Sequence, residues 1–216
     1  MYDDLKKKVV EVMKFMEQHE LNYGRSGNVS IRIQDTGHIL ITPTGVKKSA
    51  LAEDDIAVVD LSGKTIEGKR KPSVEMPLHL AIYKNYDYIN AVIHAHGIYS
   101  TALAVAREPL PPLVEEMVSL TGGDVKVAEY APSGTDELAE NAVKALHERK
   151  AVLLANHGIV ACGETIDEAL EILVLVERIS KVYILSKVAG VPKVLPFESL
   201  EKQVQDFRKR IKRNSA

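Results

Sequence analysis

Apolar residues recur at helical spacing near both ends of the chain. Residues 3–19 carry apolar side chains three or four positions apart, which predicts an amphipathic first helix. The same spacing predicts a long helix from about Ile166 to Val188 and a last helix over 198–212. Three further helices are predicted over 76–87, 98–107 and 135–148, the last with Thr135 as a plausible N-cap.

The segments between these helices alternate apolar and polar residues or form short apolar runs. Residues 29–42 alternate around Asp35–Gly37, and residues 56–68 around Ser62–Gly63, so each is predicted to be a β-hairpin. Further strands are predicted at 88–96, 125–130, 151–157 and 159–162. This mixture predicts one α/β (α+β) domain over residues 1–216, with a sheet covered by helices.

Two histidines, His94 and His96, lie at the end of an apolar strand. Side chains two apart on a strand point to the same face, so this pair is half of a metal site. His157 ends another apolar run and is followed by glycine. Three neutral imidazoles with one open position are typical of catalytic zinc. The alternative is that the pair belongs to a half-buried strand and binds nothing.

Composition narrows the class of protein without naming a function. The chain has 216 residues, 27% of them charged, and a formal net charge of −2, so neither nucleic acid nor a membrane is predicted as a partner. The basic stretch Arg208–Arg213 is interpreted as the solvated end of a helix. A single cysteine, Cys162, excludes an intrachain disulfide, and we expect a cytoplasmic enzyme.

Three short polar turns are candidates for binding an anion. They are Ser26–Asn28, Thr44–Gly45 and Ser73–Val74, and their hydroxyls and backbone amides suit a phosphate group. Glu75 follows the third turn and is a candidate fourth metal ligand or general base. His79, one helical turn later, is interpreted as a packing or supporting residue. Ordinary turns and a surface carboxylate are the alternative for each.

Taken in order, the motifs SGNVS, ITPTG, PSVE, HAH and NHG resemble those of the zinc-dependent class II aldolase and adducin family, typified by L-fuculose-1-phosphate aldolase. The resemblance covers residues ~3–190. It implies a mostly antiparallel central sheet with helices on both faces. It also implies a homotetramer with the active site at a subunit interface.

The resemblance further implies a role for each motif residue. Zn²⁺ would be held by His94, His96 and His157, and by Glu75 when substrate is absent. Glu75 would also be the acid/base. The residues implied to surround the substrate phosphate are Gly27, Asn28, Thr44, Gly45, Ser73 and Val74. The implied reaction is reversible cleavage of a ketose 1-phosphate, such as L-fuculose 1-phosphate, through a zinc-stabilised enediolate. Its products are dihydroxyacetone phosphate and an aldehyde such as L-lactaldehyde.

Within that family, Glu75 favours an aldolase, because related epimerases tend to carry aspartate there. Two tyrosines of the fuculose enzyme have no counterpart, since Glu116 occupies one position and Asp206–Arg213 contains no tyrosine. Val74 offers only a backbone N–H where such aldolases often have serine. Glu116 is a candidate second acid/base, as in related dehydratases, or a solvated helix charge. An epimerase, a dehydratase, a decarboxylase and a non-catalytic adducin-like module remain alternatives.

Overall fold

Eight strands form one sheet in the order β4-β3-β2-β1-β5-β8-β7-β6 in a computed structural model that describes residues 2–213. The strands are β1 (Asn28–Arg32), β2 (Ile39–Ile41), β3 (Ala57–Val59), β4 (Thr65–Glu67), β5 (Ala91–Ala95), β6 (Val127–Ala128), β7 (Ala151–Leu154) and β8 (Gly158–Gly163). All neighbouring strands are antiparallel except β6 and β7, which are parallel. The sheet is therefore mixed, and the expectation of a mostly antiparallel sheet needs this one amendment.

Seven α-helices accompany the strands within residues 2–213. They are α1 (Asp3–Gln18), α2 (Met76–Asn85), α3 (Ile98–Ala106), α4 (Glu115–Thr121), α5 (Asp136–Leu146), α6 (Ile166–Ala189) and α7 (Phe197–Arg213). Among the described residues, no helix combines the length and the apolar character that crossing a bilayer requires.

Alternation along the strands divides the core into two layers. Ile93 and Ile159 pack with α1, α3 and α6 on one face of the sheet. Val92 and Val160, one position away on the same strands, pack with α2, α5 and α7 on the other face. Successive strand side chains point to opposite faces, so each strand contributes to both layers. Helices on both faces of the sheet were expected, and the structure has them.

Most predicted elements are present, with small shifts at their ends. Thr135 caps α5, its hydroxyl accepting a hydrogen bond from the Leu138 N–H at 3.2 Å. The helix α4 was not predicted as an element, because its seven residues are too few to show a clear period.

Candidate active site

Two imidazoles lie at the end of β5, where the strand faces α2. His94 is buried and lies on the same face as Val92, and His96 follows just beyond the strand end. The His94 Nδ1–H must be a donor, because its partner 2.9 Å away is the carbonyl oxygen of Ile159 on β8. That hydrogen bond fixes the tautomer, so the Nε2 lone pair, 2.9 Å from His96 Nε2, is the one that could bind a ligand.

His157 joins them from the turn between β7 and β8. The preceding Asn156 has a positive φ of 54° and accepts a hydrogen bond from the Arg107 guanidinium. At Gly158, a Cβ atom would lie 2.3 Å from the Ala95 carbonyl oxygen, so only glycine allows this approach to β5. The turn therefore places His157 beside the β5 histidines.

One nitrogen from each ring lies within 4.8 Å of the others, and we call His94, His96 and His157 the histidine group. Burial, with a smaller contribution from the neighbouring His94 ring, lowers the pKa of His96 to about 3 and that of His157 to about 4. Both rings are therefore neutral at neutral pH, which metal binding requires. The geometry and chemistry of these donors fit a divalent metal ion.

Glu75 lies at the start of α2 and faces the histidine group. Its Oε2 is 3.3 Å from the His94 Nε2 and its Oε1 is 3.2 Å from the His157 Nε2. Burial alone would raise the pKa of Glu75, but the adjacent rings of His94 and His157 and hydrogen bonds from Ser133 and Asn28 lower it to about 2. The side chain is therefore an anion at neutral pH, able to ligate a metal or accept a proton.

A buried chain of hydrogen bonds supports Glu75. Asn28 Nδ2 donates to Glu75 Oε2 at 2.7 Å, and Asn28 Oδ1 accepts from His79 Nε2 at 2.5 Å. His79 Nδ1 lies 2.6 Å from the Ser30 hydroxyl, which lies 2.7 Å from the Tyr83 hydroxyl. Because the pKa of buried His79 is lowered to about 3, the ring is neutral and donates from one nitrogen only. The chain thus fixes which end of the Asn28 amide faces Glu75.

The residues of this hydrogen-bond series lie far apart in the sequence. Asn28 lies opposite His94 in the β1–β5 pairing, and Ser30 lies opposite Val92, so both face α2. His79 had been interpreted as supporting, and its place beside Asn28 agrees with that interpretation. A polar residue at every second position of β1 was the signal available in the sequence.

The second and third polar turns meet, and the first lies beside Glu75 through the Asn28 side chain. We call residues 26–28, 42–45 and 72–74 the turn cluster. Pro43 and Pro72 form an isolated β-bridge, flanked by hydrogen bonds from Thr44 N to Lys71 O at 3.1 Å and from Ser73 N to Thr42 O at 3.0 Å. A segment far along the chain is thereby brought against the 42–45 turn.

Glycines shape two of these turns. Gly27 (φ 73°) leaves no room for a side chain, because a Cβ would lie 2.2 Å from the Asn22 amide nitrogen. Gly45 also has a positive φ, 72°, but has open space around it. Within residues 2–213 the amide N–H groups of Gly45 and Val74 have no backbone acceptor. The Asn28 side chain points away from the turn and bonds Glu75 and His79.

Ser133 contacts the site, whereas Glu116 lies apart from it. The Ser133 hydroxyl, absent from the sequence-based candidates, donates to Glu75 Oε1 at 2.7 Å. Glu116 lies in the exposed first turn of α4, in a surface groove with Asp167, Glu171 and Arg178. The walls of that groove include neither Glu75 nor the histidine group, so within one chain Glu116 is not brought to the site.

A cavity of about 1050 Å³ opens beside the histidine group. His96, His157 and Asn22 line it together with the apolar side chains of Ile98 and Val105. Its walls combine ring nitrogens with apolar surface, as ligand-binding cavities commonly do.

Comparison with known proteins agrees with this geometry. Residues 7–184 match the family model described as the class II aldolase and adducin N-terminal domain. A 5-deoxy-D-ribulose 1-phosphate aldolase of Bacillus thuringiensis serovar kurstaki is 34% identical over 94% of both chains. An L-fuculose phosphate aldolase of Escherichia coli O6:H1 is 37% identical over 83% of this chain and 82% of its own. A solved L-fuculose 1-phosphate aldolase superposes with a TM-score of 0.91 at 43% identity, covering 95% of this chain and 96% of its own.

Proposed function

This chain belongs to the family of class II aldolases and adducin N-terminal domains, and from that membership we propose that it is a metal-dependent aldolase. Its reaction would be the reversible cleavage of a ketose 1-phosphate to dihydroxyacetone phosphate and an aldehyde. The observation that carries the proposal is the Glu75 carboxylate, which lies 3.3 Å from His94 Nε2 and 3.2 Å from His157 Nε2. A proton acceptor thus lies beside three imidazoles that could hold a metal ion.

We propose that His94, His96 and His157 hold the metal, with Glu75 as a further ligand when substrate is absent. Zinc is the proposed ion, since three imidazoles with an open position are its usual catalytic setting. When bound, such an ion acts as a Lewis acid on substrate oxygens. Metal analysis of the purified protein tests the identity of the ion.

The protein groups divide the remaining work. Glu75 would take a proton from C3 of dihydroxyacetone phosphate in the synthetic direction and return it to C3 during cleavage. Asn28 and its buried partners would hold the carboxylate in place. The turn cluster would bind the phosphate through hydroxyls and backbone N–H groups. Its proposed phosphate-binding residues are Gly27, Asn28, Thr44, Gly45, Ser73 and Val74.

Two substrates are favoured by the relatives' names. L-fuculose 1-phosphate would release L-lactaldehyde, whereas 5-deoxy-D-ribulose 1-phosphate would release acetaldehyde. Both reactions share dihydroxyacetone phosphate, so the two substrates differ only in the aldehyde that they release. Comparing the two aldehydes as acceptors with the metal-loaded enzyme decides between them.

We also propose a homotetramer with the site at a subunit interface. Large apolar side chains, Tyr23, Ile98 and Val105, are exposed beside the cavity, as at a contact between subunits. Light scattering of the purified protein measures the oligomeric state. A neighbouring subunit would then contribute further residues to the site, and its Glu116 is a candidate.

The decisive experiment uses dihydroxyacetone phosphate alone. Metal-loaded protein in D₂O is expected to exchange one C3 proton stereospecifically, as followed by NMR, without any aldehyde. Absence of exchange with metal bound would favour the epimerase, dehydratase or decarboxylase alternatives. Failure to bind any metal would favour the non-catalytic module.

A further inference from the structure

A surface loop delivers one hydroxyl to the buried Glu75 carboxylate. Ser133 lies in the exposed segment before α5, yet its Oγ is 2.7 Å from Glu75 Oε1, and only 5% of Glu75 is exposed. The serine hydroxyl is the donor of this hydrogen bond, and the carboxylate oxygen accepts it. The loop therefore reaches directly into the site.

The loop is built so that Ser133 cannot easily leave this position. The Thr135 hydroxyl donates to the Pro132 carbonyl at 2.7 Å, which closes a tight turn around Ser133. Gly134 has a φ of 78°, and a Cβ there would lie 3.0 Å from the Val74 carbonyl oxygen. A glycine thus lets the loop lie against the turn that precedes Glu75.

The two oxygens of Glu75 are held in different ways. Oε2 accepts from Asn28, whose amide is itself fixed by the buried ring of His79. Oε1 accepts a hydrogen bond from the Ser133 hydroxyl. Among residues 2–213, this is the one side-chain hydrogen bond to that oxygen. One donor on each oxygen fixes rotation about the terminal torsion of Glu75, which is otherwise broad.

Building on the proposed function, we infer that Ser133 is a positioning residue for catalysis, which sets the plane of the Glu75 carboxylate. Proton transfer between Glu75 and a substrate carbon requires one oxygen lone pair to point along the transfer path. Without the Ser133 hydrogen bond, the carboxylate is held only by Asn28 and rotates about its Oε2 hydrogen bond. Its lone pair then points along the proton-transfer path for only part of the time. Ser133 acts through Glu75.

Kinetics of the metal-loaded enzyme test this role. In S133A, kcat for proton exchange into dihydroxyacetone phosphate is expected to fall about tenfold with KM unchanged, the scale of one hydrogen bond to a charged group. S133T keeps a hydroxyl and is expected to restore most of the rate. S62A removes a hydroxyl from the exposed β3–β4 turn, where it bonds Asp60, and is the matched control expected to behave as wild type.

Three kinetic results would overturn the inference. They are an S133A exchange rate equal to wild type, a change confined to KM, and an S133T variant as slow as S133A. The second would mean that Ser133 contacts substrate, and the third that bulk rather than the hydroxyl matters. Circular dichroism and metal content, both expected to match wild type, exclude misfolding and metal loss as the cause.

A structural measurement keeps this test separate from the proposed function. In crystals of the metal-free wild-type protein, the Glu75 carboxylate is expected in one orientation, and in S133A in a turned or divided one. If the wild type shows no proton exchange at all, the proposed function fails, while this comparison still decides the role of Ser133. An unchanged carboxylate in S133A would overturn it.

Discussion

The histidine group and the turn cluster are held in place by different means. His94 is buried on a strand, and its ring is fixed by the neighbouring strand β8. In the turn cluster, Thr44 and Gly45 are exposed, and the contacts between turns are backbone hydrogen bonds and one β-bridge. Burial and side-chain bonds pre-organise the first region, whereas the second presents backbone to whatever binds there.

Glu75 connects the two regions, because it follows the third turn and faces the histidines. We therefore expect that the two regions can be altered separately, and that a change at Glu75 affects the proposed chemistry while the proposed metal and phosphate binding persist.

The largest effect is expected at the connection itself. In Glu75→Gln the amide cannot accept a proton, so turnover and proton exchange should fall by about 10³-fold or more. Metal content should be preserved, because the histidine group is intact. Exchange of dihydroxyacetone phosphate in D₂O and metal stoichiometry are measured on the same sample. Full activity would remove Glu75 from the mechanism.

Damage to the histidine group alone should appear in metal content. His157→Ala removes one of three ring nitrogens, and metal affinity is expected to fall by at least about 10- to 100-fold, with activity falling in proportion to occupancy. His19→Gln, at an exposed position after α1, is the control. Unchanged metal stoichiometry in His157→Ala at limiting metal would contradict the assigned ligand.

Acid should destabilise the metal-free protein through the buried support of Glu75. The pKa of His79 is about 3 when folded, lowered chiefly by burial, against about 6.5 unfolded. Between these values the unfolded chain binds the extra proton, so the free energy of unfolding falls as pH falls below 6.5. The contribution of His79 at pH 5 is about 2 kcal/mol.

Urea unfolding of the metal-free protein at pH 7 and pH 5 measures this loss. His96 and His157 act in the same direction, so the wild-type loss should exceed the contribution of His79 alone. His79→Gln should reduce the pH dependence by about 2 kcal/mol. An equal dependence in His79→Gln and wild type would show that His79 takes up its proton when folded.

The smallest effect is expected in the turn cluster. Val74 is 63% exposed, so Val74→Ser should leave the free energy of unfolding within about 0.5 kcal/mol of wild type. The added hydroxyl should lower KM for dihydroxyacetone phosphate by about threefold through one more donor to phosphate, with kcat unchanged. Val191→Ser, exposed in the segment before α7, is the matched control. A change in kcat without KM would place Val74 nearer the chemistry.

Local sequence was sufficient for most elements and for part of the site. Periods of 3.6 and 2 are visible within a few residues, so α1, α6 and the strand carrying His94 and His96 could be predicted. The mixed sheet could not, because the parallel β6–β7 pair depends on a crossover through α5. The short helix α4 has too few turns to show a helical period in the sequence, so it was not predicted.

The sequence alone determined which residue types were available: two histidines on one strand face, a third before glycine, and a carboxylate after a polar turn. Only the tertiary structure decided that Ser133 bonds Glu75 and that His79 orients Asn28. The physical reason is separation along the chain, since Ser133 is 58 positions from Glu75 and His79 is 51 from Asn28. Such contacts have no local pattern and arise from strand register and loop packing.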